Sequence, residues 1–225
     1  MNSLAGPLPM GGPVYRLILF DSDGTLSDTL PWARQVFNEL ADAHGFRRVE
    51  PGQEERLREL HGRDLLRALG LPLWKVPSVV RSMRARMDRD IHLFRPFPGV
   101  PGMLQRLAGA GKILGVVSSN SRANVERILG LESSVFIRHF GCGASMFGKA
   151  ARLRQVVRAS GVPAAQGIYI GDEVRDAEAA HEAGLAFGAV AWGHHRLDTL
   201  RAQRPAFCFS TVEEMATQLG GARPW

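Results

Sequence analysis

The sequence predicts an α/β fold: a Rossmann-like, doubly wound parallel sheet carrying a small inserted α-helical cap domain. Three observations lead there. Short apolar runs alternate with amphipathic helical segments over the last two thirds of the 225 residues. That is the rhythm of a parallel sheet covered by helices on both faces. Several of the runs end in Asp, Ser or Gly, at the carboxyl ends of strands where such sheets bind their ligands. Finally, Asp21 and Ser118 both follow apolar strands but stand 97 positions apart. A strand–helix–strand unit needs about 30 residues or somewhat more, so a surplus of roughly 60 must form a module of its own.

The first strand is the apolar run Val14–Phe20. Met1–Pro13 before it is rich in Gly and Pro and has no basic n-region, so it reads as a flexible lead-in rather than a signal peptide. The surplus module spans 31–98 and is mostly helical, over Trp32–Ala43, Glu54–Leu60, Asp64–Leu69 and Ser78–Ile91. Pro51-Gly52, Gly70, Pro72 and Pro77 punctuate it. It interrupts a core formed by 14–30 and 99–225, with hinges expected at Leu26–Pro31 and Phe94–Gly99. Hung over the strand ends, it could act as a lid.

The remaining elements follow in order. A helix near Val100–Ala110 precedes a strand at Lys112–Val117. Ser121–Leu129 is helical and stops at Gly130, a residue suited to a C-cap. Phe136–Phe140 is a short strand. Lys149–Ser160 carries Leu153, Val156 and Val157 at helical spacing. Ile168–Ile170 is a buried strand running into Gly171-Asp172-Glu173. Ala177–Ala183 is a helix ending at Gly184. Phe187–Trp192 and Phe207–Phe209 are the last strands, and Ser210 and Glu213 have capping-box spacing for a final helix.

Bulk properties narrow the setting. Hydrophobic content is 45%, ordinary for a globular chain. No apolar run reaches the roughly 18 residues of a membrane span, so no membrane partner is expected. Two cysteines, Cys142 and Cys208, give no disulfide framework, and a reducing, cytoplasmic compartment is the default. The net charge is +6, and all basic residues but Lys75, Lys112 and Lys149 are arginines. Because they are scattered among acids, without blocks or aromatic interleaving, they read as a solvated surface rather than a nucleic-acid footprint.

The chemistry begins at Asp21-Ser22-Asp23-Gly24-Thr25-Leu26. A buried strand that ends in two carboxylates is an expensive choice unless a cation or hydrogen bonds compensate them. Gly24 lets the backbone turn and approach a ligand closely. Three further clusters fall at element ends: Ser118-Ser119-Asn120, Lys149, and Gly171-Asp172-Glu173 with Asp176. Each alone has a bland reading, as a helix cap, a surface lysine or a tight turn. A cation at a helix start is mildly unfavourable, however, and Lys149 therefore wants a reason. Together the four clusters supply what phosphoryl transfer requires: a nucleophile, an acid, a cation and donors for phosphoryl oxygens. Magnesium, which prefers oxygen ligands and keeps several waters, is the cofactor that fits.

With these motifs in this order, the chain resembles the haloacid dehalogenase-like hydrolases over nearly its whole length. The helical insert after the first strand resembles the cap of their phosphoglycolate phosphatase-like branch. The resemblance implies a nucleophile at Asp21, forming an aspartyl-phosphate, and a general acid, then base, at Asp23. It implies Mg²⁺ held by Asp21, the backbone carbonyl of Asp23, and Asp172, with Glu173 or Asp176 supporting the metal shell. Ser118 with Ser119 or Asn120 would hold phosphoryl oxygens, along with Gly24 and Thr25, and Lys149 would neutralise charge. Ser22 departs from the bulky residue often found there.

A carboxylate at position 23 favours phosphate esters over halide release, which needs no acid. The expected substrate is a small phosphorylated metabolite, phosphoglycolate or a sugar phosphate. A sugar-phosphate mutase with the same catalytic set is the alternative, and a non-catalytic nucleic-acid-binding protein a remoter one. Within the insert, His61-Gly62-Arg63 is the best candidate to reach the substrate, Arg63 by pairing with a carboxylate or second phosphate. Arg81, Arg84 and Arg89 read as a solvated face. Trp32 and Trp74 read as packing, and His194 and His195 equally as neighbours of the site entrance or as a surface turn. The chain is expected to be a monomer or homodimer.

Overall fold

A computed structural model describes residues 15–58, 60, 62–143 and 148–221. The expected N-terminal lead-in and His61 lie outside the described residues. In chain order the elements are β1 (Leu17–Phe20), α1 (Leu30–His44), α2 (Glu54–Arg58), α3 (Gly62–Ala68), α4 (Val76–Asp90), α5 (Val100–Gly109), β2 (Ile113–Val116), α6 (Arg122–Leu129) and α7 (Leu131–Ser134). There follow β3 (Ile137–Phe140), α8 (Lys149–Ser160), β4 (Gly167–Gly171), α9 (Val174–Glu182), β5 (Ala186–Val190), α10 (Leu197–Arg201), β6 (Phe207–Phe209) and α11 (Val212–Gly220).

The six strands form one parallel sheet in the order β3-β2-β1-β4-β5-β6. The order reverses between β1 and β4, the crevice where such sheets bind ligands. The sequence Leu-Ile-Leu-Phe of β1 is apolar throughout because both its faces are buried. Ile18 and Phe20 join one core with Leu104, Leu107, Met215 and Leu219. Leu17 and Leu19 join the other with Leu153, Tyr169, Ala177 and Phe187. Burying each such side chain contributes about 1.5–3 kcal/mol. Among the described residues no helix is long and apolar enough to cross a membrane.

The insert has a core of its own. Trp32, Val36, Leu40, Phe46, Leu69, Leu71 and Phe94 are buried together, joined by Ile128 from α6. Trp32 meets Phe94 edge to face at 5.1 Å and donates its indole N–H to Asp90 at 2.8 Å. Trp32 is thus packing, as expected. Trp74 is not: it is largely exposed, with the Lys75 ammonium 5.4 Å from its ring. The two hinge segments run side by side. Ser27 bridges Pro96, Asp28 N–H donates to Arg95 O at 3.1 Å, and Phe97 N–H to Leu26 O at 2.9 Å.

Two boundaries differ from the sequence reading for identifiable reasons. The final helix is capped by Thr211, whose side chain accepts from Glu214 N–H, not by Ser210 with Glu213. Ser210 instead donates its own N–H to Glu214. The strand expected over Phe187–Trp192 ends at Val190, and Trp192 turns back to donate its indole N–H to Thr25 O at 3.1 Å.

Candidate active site

β1 and β4 are neighbours in register, Phe20 opposite Ile170. Their ends therefore bring Asp21 and Asp172 together across the crevice. β2 flanks β1 on the other side and delivers Ser118 to the same edge. α8 begins at Lys149 and presents it to both strands.

Lys149 is the charge centre of the cluster. Its ammonium lies 2.9 Å from Asp21 Oδ2 and 2.5 Å from Asp176 Oδ1, and all three side chains are buried. Burial alone would favour the neutral amine. Asp176 and Asp21 outweigh it and hold the lysine above its ordinary range. This is the reason Lys149 stands at a helix start: two carboxylates recruit it against the helix dipole.

Each carboxylate also accepts further hydrogen bonds, from neighbouring backbone for Asp21 and Asp176 and from distant segments for Asp172. Asp21 Oδ1 accepts from Ser22 N–H at 2.8 Å. Asp172 Oδ1 accepts the Thr25 hydroxyl and Oδ2 the His194 N–H, both at 2.7 Å. Asp176 Oδ2 accepts the backbone N–H of Asp172 and Glu173 at 3.1 and 3.0 Å, fixing the loop after β4. Glu173 pairs with Arg175 at 2.5 Å. Burial would raise it, but the guanidinium outweighs burial and the carboxyl sits at about 2. Asp172, by contrast, is pushed well up by burial, then by Glu173, Asp176 and Asp21.

Carboxylate oxygens of Asp21, Asp172 and Asp176 lie within 4.8 Å of one another. Three buried carboxylates, two of them paired with Lys149, form an all-oxygen donor set that fits a hard divalent cation. Two glycines make room for Asp172. Gly24 has φ +79°, and a Cβ there would collide with the Asp172 carboxylate; a Cβ on Gly193 would collide with the Asp172 side chain from the other side.

Asp23 stands apart from this cluster and is half-buried. Its carboxylate receives the Asn120 amide at 3.3–3.4 Å, and the Thr29 side chain lies beside it. Burial and the neighbouring Asp21 outweigh these donors and raise it to about 7. Ser118 is buried and its hydroxyl accepts from Asn120 N–H at 3.1 Å. Ser119 O accepts from Arg84 of the insert at 3.1 Å, and Asn124 donates to Asp88 at 2.6 Å, so α4 rests on the loop after β2. Arg84 therefore serves a contact between insert and core rather than a purely solvated face.

The structure thus brings the segments of Asp21, Ser118, Lys149 and Asp172 to one edge of the sheet. Arg63 sits apart, exposed on α3 beside a separate groove with Leu66, Arg67 and Leu73. Four participants were not foreseen: Thr29 on Asp23, Trp192 on Thr25, Arg175 on Glu173, and the backbone N–H of His194 on Asp172. Only His194 left a sequence signal, its place just after a strand end.

A sheet edge that gathers paired aspartates, a serine loop and a buried lysine defines a class of phosphoryl-handling hydrolases. The family model of haloacid dehalogenase-like hydrolases matches residues 18–190. The chain belongs to this family, in its phosphoglycolate phosphatase-like branch, and is a phosphatase. It is 32% identical over 201 residues to the phosphoglycolate phosphatase of Synechococcus elongatus, covering 88% of this chain and 94% of that one. It is 29% identical over 191 residues to the N-acetylmuramic acid 6-phosphate phosphatase of Pseudomonas aeruginosa, covering 80% and 83%. Among solved structures, a haloacid dehalogenase-like hydrolase from Streptococcus pneumoniae superposes with a TM-score of 0.74 at 21% identity, over 90% of this chain and 97% of that one. CbbY from Rhodobacter sphaeroides, in complex with phosphate, gives 0.71 at 21% identity, over 92% and 98%. At such identities the structural likeness speaks to the fold.

Proposed function

We propose that the protein hydrolyses a small phosphomonoester with Mg²⁺, through a phosphoanhydride on Asp21. The carrying observation is the buried cluster of Asp21, Asp172 and Asp176, with Lys149 paired to Asp21 and Asp176, beside another carboxyl, Asp23, raised to about 7. In the first half-reaction an Asp21 oxygen attacks phosphorus and the ester P–O bond breaks. Asp23 gives its proton to the departing alkoxide, releasing the alcohol. In the second, Asp23 takes a proton from water as the water oxygen attacks the same phosphorus. The bond to Asp21 breaks, phosphate leaves, Asp21 is again a carboxylate and Asp23 again carries its proton.

Lys149 offsets negative charge on Asp21 and the phosphoryl oxygens. Ser118, with the loop of Ser119 and Asn120, would donate to those oxygens, and Gly24 would let the backbone come close to them. Asp21 and Asp172, with the Asp23 carbonyl, would hold Mg²⁺, which when bound neutralises phosphoryl charge. Thr25, His194 and Gly193 orient Asp172, and Asp176 orients Lys149 and the loop after β4. Relatives named for phosphoglycolate and for a sugar phosphate support the small-ester class. The two unpaired cysteines suit a cytoplasmic location.

A panel of phosphate esters with Mg²⁺ tests this reading by released phosphate. EDTA is expected to stop hydrolysis and added Mg²⁺ to restore it; metal-independent turnover would exclude the mechanism. Gly193→Ala should push Asp172 out of place and raise the Mg²⁺ concentration for half-maximal rate by roughly 10–100-fold. A Mg²⁺ titration of activity reads that shift.

A further inference from the structure

Between the insert and the strand ends lies a cavity of about 190 Å³. Leu30, Phe37, Val49, Leu57, Leu65 and Leu69 form most of its wall. Two polar side chains that also line it are engaged by the insert's own backbone. Asn38 donates to Val49 O at 2.9 Å and accepts Val49 N–H at 2.8 Å. Glu54 accepts Gly52 N–H at 2.7 Å. What faces the interior is therefore predominantly hydrocarbon.

Two independent chain neighbours tie this cavity to the site. Leu30 follows Thr29, whose side chain lies beside the Asp23 carboxylate, the acid on the leaving oxygen. His194, also in the lining, binds Asp172 through its N–H. The cavity thus reaches the site at His194, with Leu30 in its wall one residue from Thr29.

We propose that the cavity receives the apolar body of the leaving alcohol, so the preferred substrate is a monoester of an aryl or medium-chain alkyl alcohol. This rests on the hydrolytic reading above. Size supports it: an apolar cavity of about 150 Å³ accommodates benzene. A two-carbon carboxylate such as glycolate would leave most of this space unused and place a charge against hydrocarbon. Arg34, exposed at the rim, is the cation such an acid would need instead.

Steady-state kinetics on straight-chain phosphates from ethyl to hexyl, phenyl phosphate and phosphoglycolate test the proposal. With Mg²⁺ present, kcat/KM should rise about fourfold per methylene until the cavity fills. Phenyl phosphate should exceed phosphoglycolate by roughly tenfold or more. Leu65→Glu should lower kcat/KM for phenyl and hexyl phosphate by roughly tenfold or more. Ethyl phosphate, too short to reach the cavity, reports whether the variant has folded. If it has not, the nearly isosteric Val49→Thr should give a loss of about threefold or more on the long esters. A flat alkyl series, or phosphoglycolate preferred over phenyl phosphate, overturns the proposal while the hydrolytic reading stands. Should no ester be hydrolysed, calorimetry with benzylphosphonate and 3-phosphonopropionate separates the two ideas. Tighter benzylphosphonate binding retains the apolar cavity and removes the hydrolase; equal or weaker binding removes both.

Discussion

Asp21→Asn is expected to abolish turnover, by about 10⁴-fold or more, while leaving the protein folded. An amide of the same shape still offers an oxygen to Ser22 N–H, now accepted by Asp21 Oδ1 at 2.8 Å. It has no anionic oxygen to attack phosphorus, and its NH₂ would face the Lys149 ammonium in place of Oδ2. Lys149 keeps its closer partner, Asp176 at 2.5 Å, so the buried cation is not orphaned. Losing one of three clustered carboxylates also relieves repulsion on Asp172. The stability change should therefore stay within about 1 kcal/mol, since loss and relief oppose each other. Released phosphate under single-turnover conditions and a thermal melt check both halves. Retained hydrolysis would sink the nucleophile assignment. A collapsed melt would instead mean that Asp21 is chiefly structural.

Much of this arrangement is legible in the chain because the physics is local. Leu17–Phe20 is apolar without alternation, which only burial on both faces explains, and the carboxylate after it is then desolvated whatever else happens. Lys149 is legible as an oddity, a cation at a helix start, though its cause lies 128 and 27 residues away. What escapes is whatever depends on two distant segments meeting. Thr25 was expected near phosphate, yet its hydroxyl is committed to Asp172, 147 residues on. The His194 N–H carries no side-chain signature at all. Glu173 reads as a metal-shell acid, and its ion pair with Arg175 leaves no mark in the sequence.

The final helix shows a different failure. Ser210-Thr211-Val212-Glu213-Glu214 contains two overlapping capping frames. The choice falls to Thr211 and Glu214 because Val212, Met215, Ala216 and Leu219 must face the core together. A tertiary requirement decides between locally equal caps. Trp74 errs in the opposite sense: an aromatic among Leu and Pro reads as packing, but it falls on a one-turn helix that turns it outward.

Lys149→Met should destabilise the metal-free protein by about 3–5 kcal/mol, the usual consequence of stripping one partner from a buried ion cluster. Methionine matches the length and most of the volume, so little of the loss is cavity. The loss comes from Asp21 and Asp176, which are left with side-chain exposures of 4% and 0% and no cation. Asp176 still accepts two backbone N–H groups and can also become protonated, which sets a ceiling on the loss. Lys149→Arg is not a rescue. Its planar fork needs more room than the enclosed ammonium has, and its larger head would press on Tyr169, whose ring centroid lies 5.6 Å from the lysine nitrogen. Activity of either variant should fall steeply, because charge on the attacking carboxylate and the phosphoryl group loses its fixed counter-ion. Mg²⁺ supplies the discriminating measurement. If Asp21 and Asp172 hold it, saturating Mg²⁺ should return about 2.7 kcal/mol at 100 times its dissociation constant, in the variant as in the parent. Urea denaturation with and without Mg²⁺ reads both effects. A loss below about 1 kcal/mol in the metal-free protein would mean that the lysine does not hold the two carboxylates together. A full loss with no Mg²⁺ response would mean that the ion's place depends on Lys149 and not on the aspartates alone.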